Sequence, residues 1–451
     1  MTGLRRTLGP GQLAMIAIGG AVGTGLFLGS GLAIGLAGPA VLVSYAIGGL
    51  VTLALMGCLA EMTVADPVTG SFGLFAERYL GRFAGFLVRY AYAAAVILAI
   101  GTEVTAVAIY MRYWAPGVPG LWWIAGFSLA LLGVNLASVR LFGAVEYVFS
   151  AIKIAAILIF IAVGLWVIAV HGIGFSHYTD AGGFAPHGLS GIWTAVIVAI
   201  FSYISIEMIA VAAGEARDPE RAIVRAFRST MLRLALFYLG SLAVMLAIVP
   251  WTQAGTATSP LVTVMQASGV PYAAGLLNAV VLIAALSAMN SQLYITTRMM
   301  FSLSRAGFAP RSMGALSKSG IPLNALLLSS SGIALATLLN VVYPQSSFTL
   351  MMAISMFGAI FTWFMIFLTH LFFRRYRKRH GAPKLSFELR LFPYSTLLGL
   401  VLMGAVMITT YFTEAFKMTL VFGVPFLLIL SAVYYGFFRK GRAKVSNKAL
   451  V

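Results

Sequence analysis

Continuous apolar runs of about 20 residues recur along this chain, each separated from the next by a short polar stretch. Crossing a bilayer takes about 20 apolar residues. Inside lipid, only α-helices and closed β-barrels satisfy every backbone group. Barrel strands alternate apolar and polar residues over about 10 positions. Runs such as 154–170 do not alternate, so the barrel fails and helices remain. Composition agrees: 61% of residues are hydrophobic and 9% charged, against roughly 45–50% and 25% in a soluble domain. This excludes a soluble globular enzyme and a disordered chain.

Twelve spans are read, with approximate cores 12–35, 39–61, 84–111, 121–139, 147–170, 190–212, 230–250, 272–304, 323–343, 348–372, 393–413 and 418–437. They would use roughly 240 of the residues, leaving short loops and no large soluble domain. The long third and eighth segments must tilt or extend past the bilayer. A single transmembrane domain over 1–439 is expected, followed by a basic tail at 440–451. Lys and Arg decide its orientation, because they concentrate in cytoplasmic loops. With the N-terminus inside, the inner loops carry Arg78, Arg82, Arg221, Arg225, Arg228, Arg305 and Arg311, and a dense cluster from Arg374 to Arg390. The outer loops hold only Arg112 and Lys417. Both termini are therefore expected in the cytoplasm, with the protein in the plasma (inner) membrane. The net charge of +18 reads as topology and not as nucleic-acid binding. Cys58 reads as a packed small residue, and the polar, basic 2–11 stretch does not suggest a cleavable signal.

Two spans are interrupted. The first contains Gly19-Gly20-Ala21-Val22-Gly23-Thr24-Gly25, too many glycines for a stable helix. The sixth contains Phe201-Ser202-Tyr203-Ile204-Ser205-Ile206-Glu207, a polar stretch ending in a carboxylate. Unwound backbone at membrane depth is tolerated only where protein or a cavity surrounds it. The two spans lie five apart and enter from opposite sides. Interrupted helices at matching places of two inverted halves mark a transporter's substrate site. Residues 1–170 and 190–372 are then expected as the inverted repeats, with 393–437 as two appended helices.

A broken helix exposes N–H groups at the start of one half and carbonyls at the end of the other. The first attract a carboxylate and the second an ammonium. Thr24 and Gly25 are assigned to the carboxylate of an amino acid. The carbonyls near Ala21, Phe201 and Ile204 are assigned to its α-ammonium. The alternative for the glycines is close helix packing.

Ionisable side chains inside spans are expensive and functional by default. Glu103, Lys153 and Glu207 are the deepest. Arg89 reads as a snorkelling anchor. Lys153 reads either as snorkelling or as a positive charge within the bundle. Burial disfavours a charged ammonium, so the residue favours coupling to protons over sodium. Glu207 follows the sixth-span break and reads as a coupling carboxylate or a structural one. Glu103 is divided between the same two roles. Glu215-Ala216-Arg217-Asp218-Pro219 reads as an ion-paired loop. His171, His177 and His187 have no zinc-site spacing, so no metal or cofactor is expected.

These stretches resemble the amino acid transporter family of the amino acid–polyamine–organocation superfamily, over roughly residues 5–440. Gly19 to Phe27 is similar to its first-span motif, Glu103 to Trp114 to its third-span end, and Glu146-x6-Lys153-Ile154 to its fifth span. Ala212 to Pro219 and Asn290-Ser291-x2-Tyr294-x3-Arg298 resemble its sixth- and eighth-span ends, and Ser259-Pro260-Leu261-Val262 its loop before span 8. The resemblance implies a sodium-symporter-like inverted-repeat fold and amino acid uptake. It implies Lys153 in the place that sodium takes, bridging spans 1 and 8, in sodium-coupled relatives. Related permeases often carry Gly where this chain has Ser205, which leaves side-chain specificity open.

Pocket walls are expected from Ala99, Tyr203, Ser205, Ser287, Met289, Asn290 and Ser355. Glu207 alone offers negative charge there, which favours a neutral amino acid imported with protons. The alternatives are an exchanger, or a cationic amino acid or polyamine carrier of the same fold. Neither a catalytic dyad nor a symmetric pore is recognisable, so an enzyme or a channel is disfavoured.

Overall fold

The structure is a computed structural model and describes residues 22–68, 71–137, 139–213, 218–255, 258–317 and 320–439. Every regular element among these residues is helical. The first span becomes regular in a π-helical turn, Gly25–Gly29, and continues as α1 (Ser30–Ala37). Gly38 ends it with a φ of +61°, and α2 (Val41–Ala65) returns. A short helix, α3 (Ser71–Leu80), then precedes α4 (Arg82–Met111), α5 (Gly120–Ala137) and α6 (Val139–Val170). The sixth span is split into α7 (Gly188–Tyr203) and α8 (Met208–Ala213). After α9 (Pro219–Ile248) comes a second short helix, α10 (Pro260–Ala267), and then α11 (Ala273–Arg305). The chain closes with α12 (Leu323–Ser329), α13 (Ser331–Val342), α14 (Ser347–Arg379), α15 (Tyr394–Phe412) and α16 (Lys417–Val433).

Among the described residues, ten helices are long and apolar enough to cross a membrane. The twelve expected spans differ from that count at two places. Gly25–Ala65 counts as one stretch although Gly38 divides it, and the seventh span contributes only the shorter apolar helix Ala235–Ile248. Burial sorts the helices into inner and outer. The apolar window of Gly188–Val211 is 94% buried and that of α5 only 17%. The broken sixth span is thus wrapped in protein, while α5 faces outward. At 30 residues, α4 is roughly 45 Å long, more than the ~30 Å hydrocarbon core, so one end projects beyond it.

That projection changes the reading of Arg89. Its side chain is 2% exposed and pairs with Glu77 Oε2 at 2.6 Å. Snorkelling is therefore corrected to a buried ion pair. The reason is α3, which folds back over α4 through Gly81 (φ +107°) and brings a carboxylate to the arginine. Gly73 leaves the room, since a Cβ there would collide with the Arg89 stem. Further along, Asp218 caps α9 by accepting from Arg221 N and pairs with the Arg221 guanidinium at 3.6 Å. Gly214 to Arg217 lie outside the described residues.

A second buried cluster fastens the bundle to a loop. Glu61, near the end of α2 and fully buried, pairs with Arg374 Nε at 2.5 Å. It also meets His370 Nε2 at 3.3 Å and accepts from the Leu389 amide at 2.9 Å. Cys58 is buried close by, its sulfur 3.7 Å from Thr396 Oγ1.

Breaking one partner of a buried pair costs more than removing both. Glu77→Leu should lower stability by on the order of 3 kcal/mol, read as a lower melting temperature in detergent. Adding Arg89→Met should recover most of that loss. An unchanged melting temperature in the single variant would deny the pair a structural role.

Candidate substrate and coupling site

The break in the sixth span begins where Ile204 turns extended (φ −58°, ψ 152°) and Ser205 takes a φ of +81°. A positive φ is costly for any residue with a Cβ. The turn closes through Ile206 N to Tyr203 O at 3.4 Å and Met208 N to Ser205 O at 3.1 Å. The Glu207 carboxylate then folds back on it. Oε1 accepts from the Ser205 amide at 3.1 Å and from the Tyr92 hydroxyl at 2.8 Å. Oε2 accepts from the Trp363 indole at 3.1 Å. Glu207 is completely buried and ties the break to α4 and α14.

The first span meets this break at one point. A Cβ on Gly25 would stand 2.6 Å from Ser202 Cα, so only glycine lets the two backbones approach this closely. Close packing is therefore a role of Gly25 in this fold. Just before it, Leu26 N and Phe27 N both donate to Gly23 O, at 3.2 and 3.3 Å. The Thr24 amide donates to Glu103 Oε2 at 3.4 Å. The buried Thr24 hydroxyl lies beside the same carboxyl and makes no well-formed hydrogen bond among the described residues.

Lys153 completes the arrangement. Its side chain is fully buried, and Nζ donates to Val22 O at 3.1 Å. The snorkelling alternative is thereby corrected: α6 turns this residue toward the first span, away from the interface. Glu146 lies two helical turns earlier on the same face of α6. It is fully buried and accepts from Ser287 Oγ at 2.5 Å, Asn290 Nδ2 at 3.2 Å and Ser150 Oγ at 3.3 Å. Asn290 Oδ1 in turn accepts from Asn135 Nδ2 at 2.8 Å. Glu103 and Glu146 are the carboxyls whose charge bears on Lys153. One continuous polar cluster thus joins the first span to α4, α5, α6 and α11.

Of the residues singled out from sequence, Thr24, Gly25, Glu103, Lys153, Ser287 and Asn290 belong to this crossing. Phe201, Ile204, Ser205 and Glu207 form the facing break. Ser287 and Asn290 direct their polar atoms at Glu146. Ser355 Oγ donates to Met352 O at 2.9 Å within its own helix, and Ala99 and Met289 are buried apolar residues. Tyr203 does not join the crossing. Its ring packs 4.7 Å from that of Tyr238 and 6.1 Å from that of Tyr45, centroid to centroid, and its hydroxyl donates to Tyr45 O at 3.2 Å. The placement of Tyr203 on a pocket wall is corrected, because its face of α7 turns to α2 and α9. Ala21, with Gly19 and Gly20, lies outside the described residues. Tyr92, Trp363 and Gln292, which reaches Glu103, were not visible as partners from sequence. Glu146 entered the sequence reading only within the fifth-span motif of the resemblance.

Apolar helices that cross lipid, one of them broken where it meets the glycine-rich first span, define a membrane transporter. Residues 12–447 match the amino acid permease family, and the chain belongs to that family. It is 39% identical over 454 residues to the uncharacterised amino acid permease YtnA of Bacillus subtilis, covering 99% of this chain and 98% of that one. It is 37% identical to the aromatic amino acid transport protein AroP of Escherichia coli K12, covering 97% and 96%. Its fold is similar to a mutant manganese transporter of Eremococcus coleocola, with a TM-score of 0.64 at 13% identity over 95% of this chain and 93% of that one.

Ser205 gives a direct test of the break. Ser205→Gly relieves a positive φ worth roughly 1–2 kcal/mol and should raise the melting temperature. Ser205→Val should lower it sharply, since a β-branched residue fits that conformation worst. Equal melting temperatures for all three proteins would mean that the turn is not held at positive φ.

Proposed function

We propose that this permease imports a neutral amino acid by proton symport, through alternating access of two inverted repeats. The observation that carries the reading is the Lys153 ammonium on the Val22 carbonyl, two residues before Thr24. A fixed or protonatable cation there does locally what a bound sodium ion would do. The surrounding arithmetic supports a proton: Glu103, Glu146 and Lys153 are two carboxyls and one amine buried together, and charge balance in lipid needs one further proton. The repeats span 1–170 and 190–372, with 393–437 appended. The short helices α3 and α10 support this division, each following the second span of its half. Both termini lie in the cytoplasm of a cell membrane.

The substrate carboxylate meets the amides at Thr24 and Gly25, and its ammonium meets carbonyls near Phe201 and Ile204. Ser205, Ala99, Met289 and Ser355 are nearby wall. A neutral side chain is favoured because the Glu207 oxygens already accept from Tyr92, Trp363 and the Ser205 amide. The carboxylate is thus occupied and does not await a cationic side chain. The naming of AroP as an aromatic amino acid transporter supports an apolar substrate, aromatic ones included.

Uptake into proteoliposomes in sodium-free buffer tests this, using a labelled amino acid mixture with and without an inward proton gradient. Wild-type protein should accumulate neutral amino acids only with the gradient. Lys153→Ala should reduce accumulation to the no-gradient level while keeping some binding. Exchange alone, appearing only after internal loading, would replace symport with antiport and leave Lys153 as a fixed charge.

A further inference from the structure

We infer that this protein carries a binding groove for an anionic phospholipid, distinct from the transport site. A cavity of about 1480 Å3 opens on the side of the bundle between α2, α9, α15 and the loop after α14. Small-molecule pockets run to roughly 300–1,000 Å3, so an occupant of lipid size fits better than a metabolite. The wall is aliphatic. Leu50, Leu53 and Leu398 present exposed side chains, and the groove continues to Trp193 on α7. Any outer helix shows such residues to lipid. Here they form a trough whose lining also includes charged residues.

Those charges are mostly basic. Arg228, Lys384 and Arg390 line the groove, all exposed, and none has a carboxylate partner among the described residues. The acidic side chain in the lining, Glu388, is engaged by Arg374 at 3.7 Å and by the Leu385 amide at 3.1 Å. Arg374 is itself held by Glu61. The loop is thus pinned in place by buried contacts while three exposed cations line the same groove as the aliphatic wall. Topology accounts for basic residues on this face. It does not account for three of them lining the same apolar groove with no carboxylate partner among the described residues. A phosphate headgroup among the cations, with its chains along Leu50, Leu53 and Leu398, satisfies both halves of the site. Each basic side chain near an anionic lipid is worth roughly a fivefold change in occupancy.

The test is native mass spectrometry of the full-length protein, released from nanodiscs of equal phosphatidylglycerol and phosphatidylcholine. Wild type should retain the glycerol lipid in excess. The Arg228→Gln, Lys384→Gln, Arg390→Gln variant should lose at least about tenfold of that retention. The charge-matched variant Arg375→Gln, Lys378→Gln, Arg379→Gln, outside the groove, should keep it. Leu398→Trp, which fills the trough without touching the charge, should also lose it. All variants are compared as monodisperse protein with wild-type melting temperature. Equal retention of both lipids, equal loss in the charge-matched control, or displacement by millimolar inorganic phosphate alone would each overturn the proposal.

Discussion

The ammonium of Lys153 on the Val22 carbonyl holds together the part of this fold that is hardest to build. At Val22 and Gly23 the first span is not regular helix, and an irregular backbone in lipid must find its hydrogen bonds in neighbouring helices. Lys153 supplies a donor to one such carbonyl and Glu103 an acceptor for the Thr24 amide. Both side chains are fully or almost fully buried, so each depends on the other's charge and on Glu146 behind them. Remove the irregular span and the lysine has no carbonyl to meet. Remove the lysine and two carboxyls lose the cation between them.

A second dependency runs through the sixth span. Its break can sit at this depth because α7 is the most enclosed of the apolar helices. The turn is stabilised from within by Glu207, which bonds the Ser205 amide two residues back. It is stabilised from outside by Tyr92 and Trp363, which fix the carboxylate to α4 and α14. The two breaks then meet where Gly25 faces Ser202. That contact is steric and leaves no space for a side chain, so movement of one span must be felt by the other.

Much of this was legible in the sequence, and what was not has a physical cause. Apolar run length placed α2, α4, α5, α11, α15 and α16 within about four residues, because the bilayer imposes a length that local sequence must meet, whereas the short α3 and α10 and the early start of α9 at Pro219 were not foreseen. The Ser-Tyr-Ile-Ser-Ile-Glu stretch gave the break in the sixth span. Glu146 entered only within the fifth-span motif, although the seven residues to Lys153 return a helix to the same face. Arg89 and Tyr203 were misread for one reason. Each is decided by what packs across from it, α3 in the first case and α2 with α9 in the second, and a single helix carries no record of its neighbours. The partners of Glu207 lie 115 and 156 residues away and have no local signal at all. The same holds for Glu61, whose clamp on Arg374 spans 313 residues.

The two buried carboxylate environments suit different tasks. Glu207 has three donors pointed at its two oxygens, one of them an indole N–H that cannot reverse its role. These donors fix the orientation of the carboxylate against the turn. Glu103 and Glu146 are arranged otherwise. Ser287 and Ser150 are hydroxyls, which donate or accept by rotation, and the amine between the carboxyls can give or take a proton itself. Around Glu146 the serine contacts can change by hydroxyl rotation alone. In the proton symport proposed above, substrate recognition would fall to the Glu207 turn and proton exchange to the Lys153 cluster.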